Sequence, residues 1–364
     1  MNRNTQALHM LGQSLWLDNI SRDMLADGTL ARYVAEFSIT GLTSNPTIFD
    51  KAIGGGSAYD RSIAELTQQG QRGEALFFTL ALQDLRQAAD LFRPTHDATA
   101  GVDGWASLEL SPLLVDDTAG SIEAAKRLHA AGERPNLFIK IPGTPAGVPA
   151  IEESIFAGVP INVTLLFSRE QYIAAADAYL RGIERRIAAG LSPKVESVAS
   201  LFISRWDVAV KDTVPQPLRN RLGIAVAKQT YKAYREMLAS TRWNKLAAAG
   251  AHSQRLLWAS TGTKDPAAPE TLYVEAFAAP DTIDTMPDKT LLAFADHGKV
   301  GATMPIDGGD AEAVLDEFRQ AGVDIAALAL RLQREGADAF AKSWRELLKR
   351  IDEKSAQLAT AAAR

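Results

Sequence analysis

Short apolar runs alternate with longer amphipathic stretches along the chain. The runs are Ser14–Ile20, Ile39–Thr43, Trp105–Leu110, Leu137–Pro142, Pro160–Phe167, Val198–Ser204, Arg255–Ser260 and Leu272–Ala279. Each is short and nearly continuous, the pattern of strands buried on both faces. Helical patterns lie between them. Ser57–Gln69 opens on Ser57 with Asp60 three residues on, an approximate capping box. Glu74–Phe92 carries apolar residues at i, i+3 and i+4 and stops before Pro94. Ser121–Ala131 and Val148–Ala157 are shorter. Ser168–Ala189 begins with a clear capping box, Ser168 with Gln171, and ends at Gly190. Leu218–Ala249 is long, with a break expected at Ser240–Trp243.

Strand–helix alternation implies parallel strands joined by helical crossovers. Eight such strands predict an α/β fold, a (β/α)8 TIM barrel; a doubly wound open sheet with a helical appendage is the structural alternative. After Gly309 the alternation stops, and Asp310–Gln320, Asp324–Arg334 and Ala337–Ala362 read as helices. This tail is either a packing buttress or a cap over one barrel mouth. Its end, Ala359–Arg364, is expected to fray. No linker divides the chain, so residues 1–364 are expected to form one barrel domain, with 310–364 a helical extension over it.

Composition narrows the choice of chemistry. At 46% hydrophobic and 23% charged, the 364 residues are ordinary for a globular protein. Cysteine is absent, which excludes disulfides, a thiolate nucleophile and thiolate metal sites. A net charge of −5 argues against a broad face for nucleic acid. No uncharged apolar run reaches the ~18 residues of a membrane span. Asp18, Arg22, Asp23 and Asp27 leave no apolar signal core near the start, so a cytoplasmic protein without membrane partners is expected. The histidines (His9, His96, His129, His252, His297) lie far apart, without metal-ligand spacing, and no metal or cofactor is expected. Gly54-Gly55-Gly56 lacks the Lys-Ser/Thr of a phosphate loop. Arg181–Arg186 reads as a solvated mixed-charge helix face.

The informative residues are those that interrupt the apolar runs. Lys140 sits among Phe138, Ile139 and Ile141, and Glu109 between Leu108 and Leu110. Asn162 and Thr164 are two apart and share one strand face. Asp18 follows Leu15-Trp16-Leu17, Asn45 follows the run ending at Thr43, Ser200 and Phe202 alternate, and Arg205 ends its run. Singly, each has a plain explanation: a turn at Asn45-Pro46, a structural ion pair for Glu109 or Lys140, backbone partners for Asn162 and Thr164. Together, in a barrel, they converge on the mouth where active sites sit. One lysine with two carboxylates there points to imine chemistry, in which a neutral amine attacks a carbonyl and a carboxylate shuttles protons.

These segments resemble the transaldolase family of class I aldolases, which act in the pentose phosphate pathway. The matching stretches are Leu15-Trp16-Leu17-Asp18, Gly41-Leu42-Thr43-Ser44-Asn45-Pro46, Ser107-Leu108-Glu109, Phe138-Ile139-Lys140-Ile141-Pro142, Ile161 to Ser168, Ser197 to Arg205, and Trp258-Ala259-Ser260-Thr261. The most specific is Asn-Val-Thr-Leu-Leu-Phe-Ser with Ile-Lys-Ile-Pro upstream. The resemblance implies a circularly permuted (β/α)8 barrel with the helical tail near the active-site mouth. It makes Lys140 the Schiff-base lysine, its amine kept neutral by Phe138, Ile139 and Ile141. Glu109 and Thr164 hold a catalytic water, and Asp18 is the general base. Asn45, Asn162 and Ser200 contact the donor hydroxyls, Phe202 contributes to substrate binding, and Arg205 binds the phosphate.

The match thins at the second phosphate contact. Many relatives carry an arginine just after the seventh strand, where this chain has Ser260-Thr261-Gly262-Thr263-Lys264. Lys264 is the nearest cation and is either its replacement or a solvated loop lysine. The resemblance implies sugar phosphates as small-molecule partners and a monomer or homodimer. Two rival readings remain: a fructose-6-phosphate aldolase-type lyase on the same barrel, and a non-catalytic barrel that binds sugar phosphates.

Overall fold

The computed structural model describes the chain from Met1 to Ala362. Eight parallel strands close into a barrel in sequence order: β1 (Ser14–Leu17), β2 (Ile39–Thr43), β3 (Trp105–Glu109), β4 (Leu137–Pro142), β5 (Ile161–Leu166), β6 (Ser197–Phe202), β7 (Arg255–Ala259) and β8 (Thr282–Met286). Strand β1 pairs with both β2 and β8, which completes the ring. Helices interleave with the strands, so this is a (β/α)8 barrel and not an open doubly wound sheet.

The period of two along each strand divides the apolar residues between two cores. Leu15, Leu17, Leu108, Ile139, Ile141, Val163, Leu201 and Trp258 join the layer between sheet and helices. Trp16, Trp105, Phe138, Val198, Leu257 and Ile283 fill the barrel interior. Trp105 stacks on Phe138 with ring centroids 4.0 Å apart. Gly41 makes room for this packing, because a Cβ there would lie 2.7 Å from the Trp16 indole. At the N-terminal end, Asp103 accepts from Trp16 Nε1 at 2.9 Å and from the Ser14 hydroxyl. Arg255 donates to Ser14 Oγ and to the Thr282 carbonyl, each at 2.8 Å. With the floor thus filled, the inward positions at the C-terminal ends can be polar.

Several expected elements differ. The run Leu272–Ala279 is not a strand: Leu272–Ala276 is a helix, with Tyr273 stacked on Phe277 one turn later at 5.9 Å. The eighth strand is Thr282–Met286, whose Asp284 and Thr285 give it the look of a polar loop. The strand expected over Ser14–Ile20 ends at Leu17. The helix expected from Ser57 starts at Asp60 without a side-chain cap. The helix expected to stop before Pro94 spans Gly73–Ala98. Pro94 is exposed, so the carbonyl it leaves unpaired one turn back faces water. The Ser168–Gln171 capping box forms as expected, and the long helix breaks at Ser240 into Leu222–Ala239 and Thr241–Ala248. Arg181 and Arg185 are not merely solvated: they pair with Glu152, tying helix Arg169–Ala188 to helix Gly147–Phe156.

Beyond Gly309, Ala311–Gln320 is a helix, but the two helices expected after it are one, Ile325–Ala362, running straight through Gly336. Fraying expected at Ala359–Arg364 falls partly on residues 363–364, outside the described residues; the helix runs through Ala362. Leu328, Leu332 and Phe340 of this C-terminal helix join the inner core, whereas Trp344, Leu347 and Ile351 join the outer one. Arg350 pairs with Asp50 at 2.7 Å and Lys354 with Asp60 at 2.6 Å, fastening its far end to the helices that follow β2. Among the described residues no helix is long and apolar enough to cross a membrane.

Candidate active site

Lys140, inward on β4 one pleat above Phe138, has a side chain only 6% exposed. Its amine donates to Glu109 Oε2 and to the Ser44 carbonyl, each at 2.9 Å. Register makes the first contact, since Glu109 on β3 lies directly beside Lys140 on β4. Ile139 and Ile141 do not surround this amine. They point to the outer layer, and only Phe138 of the three expected apolar neighbours shares the barrel interior. The reason is the strand period: residues flanking a lysine in sequence face away from it.

A cavity of about 120 Å³ opens above the amine, lined by Asp18, Asn45, Thr164, Ser200, Phe202 and Arg205 among others. Asp18 sits at the end of β1 and accepts from the Thr43 hydroxyl at 2.7 Å. Burial pushes its carboxyl up from the ordinary 3.8, against the lowering effect of Thr43 and of the Lys140 and Lys264 charges. Burial likewise raises the Glu109 carboxyl, against the Lys140 charge that lowers it. Both shifts favour the protonated carboxyl.

A buried polar row runs beneath. Ser200 Oγ donates to Asn162 Oδ1 at 2.7 Å, and Asn162 Nδ2 donates to Ser107 Oγ at 3.2 Å. Thr164 lines the cavity, and its buried Oγ1 has no hydrogen-bond partner among the described residues. Asn45 caps helix Pro46–Gly54 through the Ile48 amide at 3.1 Å, so the turn reading of Asn45-Pro46 and a place in the site hold together. Arg205 stands at the rim with its guanidinium over the Phe202 ring at 5.2 Å and the Phe340 ring at 5.7 Å. Lys264 is exposed and lines the same cavity. Among the described residues no group of three His, Asp or Glu is placed to hold a metal ion.

Residues 15–351 match the family described as Transaldolase/Fructose-6-phosphate aldolase. The chain belongs to this family. Within the transaldolase/fructose-6-phosphate aldolase family it is similar over nearly its whole length to curated relatives. A protein named Transaldolase from Parafrankia sp. (strain EAN1pec) is 44% identical, with 100% of both chains covered. Transaldolase from Thermobifida fusca (strain YX) is 44% identical over 96% of this chain and 98% of its own. Transaldolase from Neisseria gonorrhoeae (strain ATCC 700825 / FA 1090) is 43% identical over 93% and 96%.

The barrel brings nine of the ten expected residues, all but Glu109 and Asn162 as cavity lining, within one connected set at the mouth of this family member; Lys264 joins it from the loop after β7. Four contributors escape a reading of the sequence. The Ser44 carbonyl is a backbone atom and leaves no residue signal. Thr43 could have been found, being two residues after the inward Gly41. Thr285 lies on a strand outside the eight expected runs, the last of which was Leu272–Ala279. Phe340 comes from the tail, and no local pattern links a helical phenylalanine to a barrel mouth.

Proposed function

We propose that this protein is a transaldolase that carries a dihydroxyacetone unit on Lys140. The donor is a ketose phosphate such as sedoheptulose 7-phosphate or fructose 6-phosphate. The acceptor is an aldose phosphate such as glyceraldehyde 3-phosphate or erythrose 4-phosphate. The observation that carries the reading is the buried Lys140 amine, held by Glu109 and opening on a cavity that also holds Asp18.

The Lys140 amine attacks the donor's C2 carbonyl. The carbinolamine hydroxyl takes a proton relayed from Glu109, with Thr164 as a hydroxyl partner, and leaves as water. Asp18 removes the proton from the C4 hydroxyl. The C3–C4 bond breaks, its electron pair flows into the iminium to give an enamine, and the aldose departs. The enamine carbon then attacks the acceptor aldehyde, Asp18 returns its proton, and water hydrolyses the new imine. Asn45, Asn162 and Ser200 hydrogen-bond donor hydroxyls, Phe202 walls the site, and Arg205 with Lys264 meets the phosphate. In this reading the chain forms one barrel domain with residues 310–362 as a helical extension over the barrel, working as a monomer or homodimer on soluble sugar phosphates in the cytoplasm.

Borohydride with fructose 6-phosphate tests it. A reduced dihydroxyacetone adduct on Lys140 is expected, and an adduct on another lysine or none at all overturns the mechanism. Turnover of fructose 6-phosphate that needs erythrose 4-phosphate distinguishes the transferase from a lyase, which would release the three-carbon unit unaided.

A further inference from the structure

The C-terminal helix contains a glycine where a glycine weakens a helix. Gly336 lies inside Ile325–Ala362, at a point where the backbone has no need of it. What the position lacks is space. A Cβ on residue 336 would lie 3.1 Å from Arg205 Nη1 and 3.0 Å from Leu165 Cδ2. Two further residues hold the same face of the helix in register, at i−3 and i+4 from Gly336. Gln333, buried, donates through Nε2 to the carbonyls of Gly143 and Leu165, both at 3.0 Å, pinning the helix to the ends of β4 and β5. Phe340 then lies across the Arg205 guanidinium and edge-on to Phe202, with ring centroids 6.5 Å apart.

We infer that Gly336 is a positioning residue for the phosphate end of the substrate: the missing side chain is the slot that sets the Arg205 guanidinium, with Phe340 as its cover. The inference rests on the reading of Arg205 as a phosphate ligand. It gives the C-terminal helix a part in choosing donors as well as in packing. The guanidinium lies over the Phe202 and Phe340 rings and beside Gly336, with no hydrogen-bonded carboxylate among the described residues, which leaves its donors free for an incoming dianion. A methyl group at 336 would crowd Nη1 and shift the guanidinium by a few tenths of an ångström while adding helix propensity.

The test compares Gly336→Ala, Arg205→Ala and the wild type with fructose 6-phosphate and with unphosphorylated fructose as donors. Gly336→Ala is expected to raise KM for fructose 6-phosphate roughly 5- to 50-fold, since small misplacements of a binding group are costly. KM for fructose should move by less than about twofold, and the melting temperature should hold or rise. An unaltered KM for fructose 6-phosphate in Gly336→Ala, where Arg205→Ala does raise it, overturns the inference and leaves the phosphate reading standing. If Arg205→Ala itself treats the two donors alike, the phosphate reading falls and this inference falls with it. If Gly336→Ala does not fold, Phe340→Leu takes its place. A selective rise of roughly 2- to 10-fold for the phosphorylated donor supports the arrangement; an equal change for both donors overturns it.

Discussion

The Thr43 hydroxyl donates to Asp18 Oδ1 at 2.7 Å and lies 2.7 Å from the Thr285 hydroxyl. A hydroxyl has one proton to give, so Thr285 donates to Thr43 and the relay runs from β8 through β2 to the carboxylate at the end of β1. The direction of this relay favours ionised Asp18, opposing the burial that disfavours it.

The acid limb of activity should follow that balance. Asp18 must be ionised to take the C4 hydroxyl proton, and burial raises its carboxyl, so the limb should lie above the range of an ordinary carboxylate. Thr43→Val removes a bond to the charged form and should move the limb to still higher pH, read from kcat against pH. Asp18→Asn should lower kcat about 10²–10⁴-fold while still forming the imine, so borohydride should trap the intact six-carbon donor. Trapping of only a three-carbon adduct would show that cleavage does not need Asp18.

Glu109 should act earlier. Its Oε2 is in contact with the reacting amine, so Glu109→Gln should slow imine formation itself, by about 10²–10⁴-fold. Rapid quenching into borohydride measures this step directly. A wild-type rate of adduct formation would remove Glu109 from the proton relay and leave it a structural partner of Lys140.

Arg205 and Lys264 can be separated by phosphate dependence. Losing a charge-assisted contact from half-buried Arg205 should cost about 1.5–3 kcal/mol, roughly 10- to 150-fold in kcat/KM for fructose 6-phosphate, and much less for fructose. If Lys264 stands in for an arginine, Lys264→Ala should reproduce the same selective loss. If it is a solvated lysine, KM should change by less than about twofold, because exposed charges contribute little. In that case the second contact would pass to Ser260, Thr261 or the amides of the Gly262 loop.

Asp284 should govern stability rather than chemistry. It is fully buried on β8, Thr261 donates to its Oδ1 at 2.9 Å, and its Oδ2 has no partner among the described residues. Burial pushes this carboxyl from 3.8 up to about 7. The folded state therefore holds the proton more tightly than the unfolded chain. The associated stability is fully present below about 3.8 and lost as pH rises through about 7. Asp284→Asn keeps the Thr261 bond and removes the ionisation. Its melting temperature should exceed that of the wild type at pH 8, by about 1–4 °C, with the advantage shrinking as pH falls through the window. A constant difference across pH would refute the assignment.

Seven strands were legible because a strand buried on both faces reads as a continuous apolar run, interrupted only where it reaches the mouth. The eighth was not, for the same reason inverted. Thr282–Met286 carries Asp284 and Thr285, whereas the helix Leu272–Ala276 and the residues after it form an apolar run broken only by Glu275. Lys140, Glu109 and Asp18 stood out because charge inside such a run is costly unless it is paired. Contacts made by backbone atoms or by the distant tail, the Ser44 carbonyl and Phe340, left no trace in local pattern. Gly336 left a trace that pointed elsewhere. It falls between the helices expected over Asp324–Arg334 and Ala337–Ala362, whereas one helix runs through it and sets it beside Arg205.

Among the described residues, the packed floor beneath Lys140 closes the end of the chamber opposite the mouth. Trp16, Trp105 and Phe138, backed by Asp103, Ser14 and Arg255, fill the end opposite the mouth. A departing aldose and an arriving one must therefore take turns through the same opening, over the same Arg205. An aldose phosphate in excess would then queue on the empty enzyme ahead of the ketose, slowing the cycle it is meant to complete.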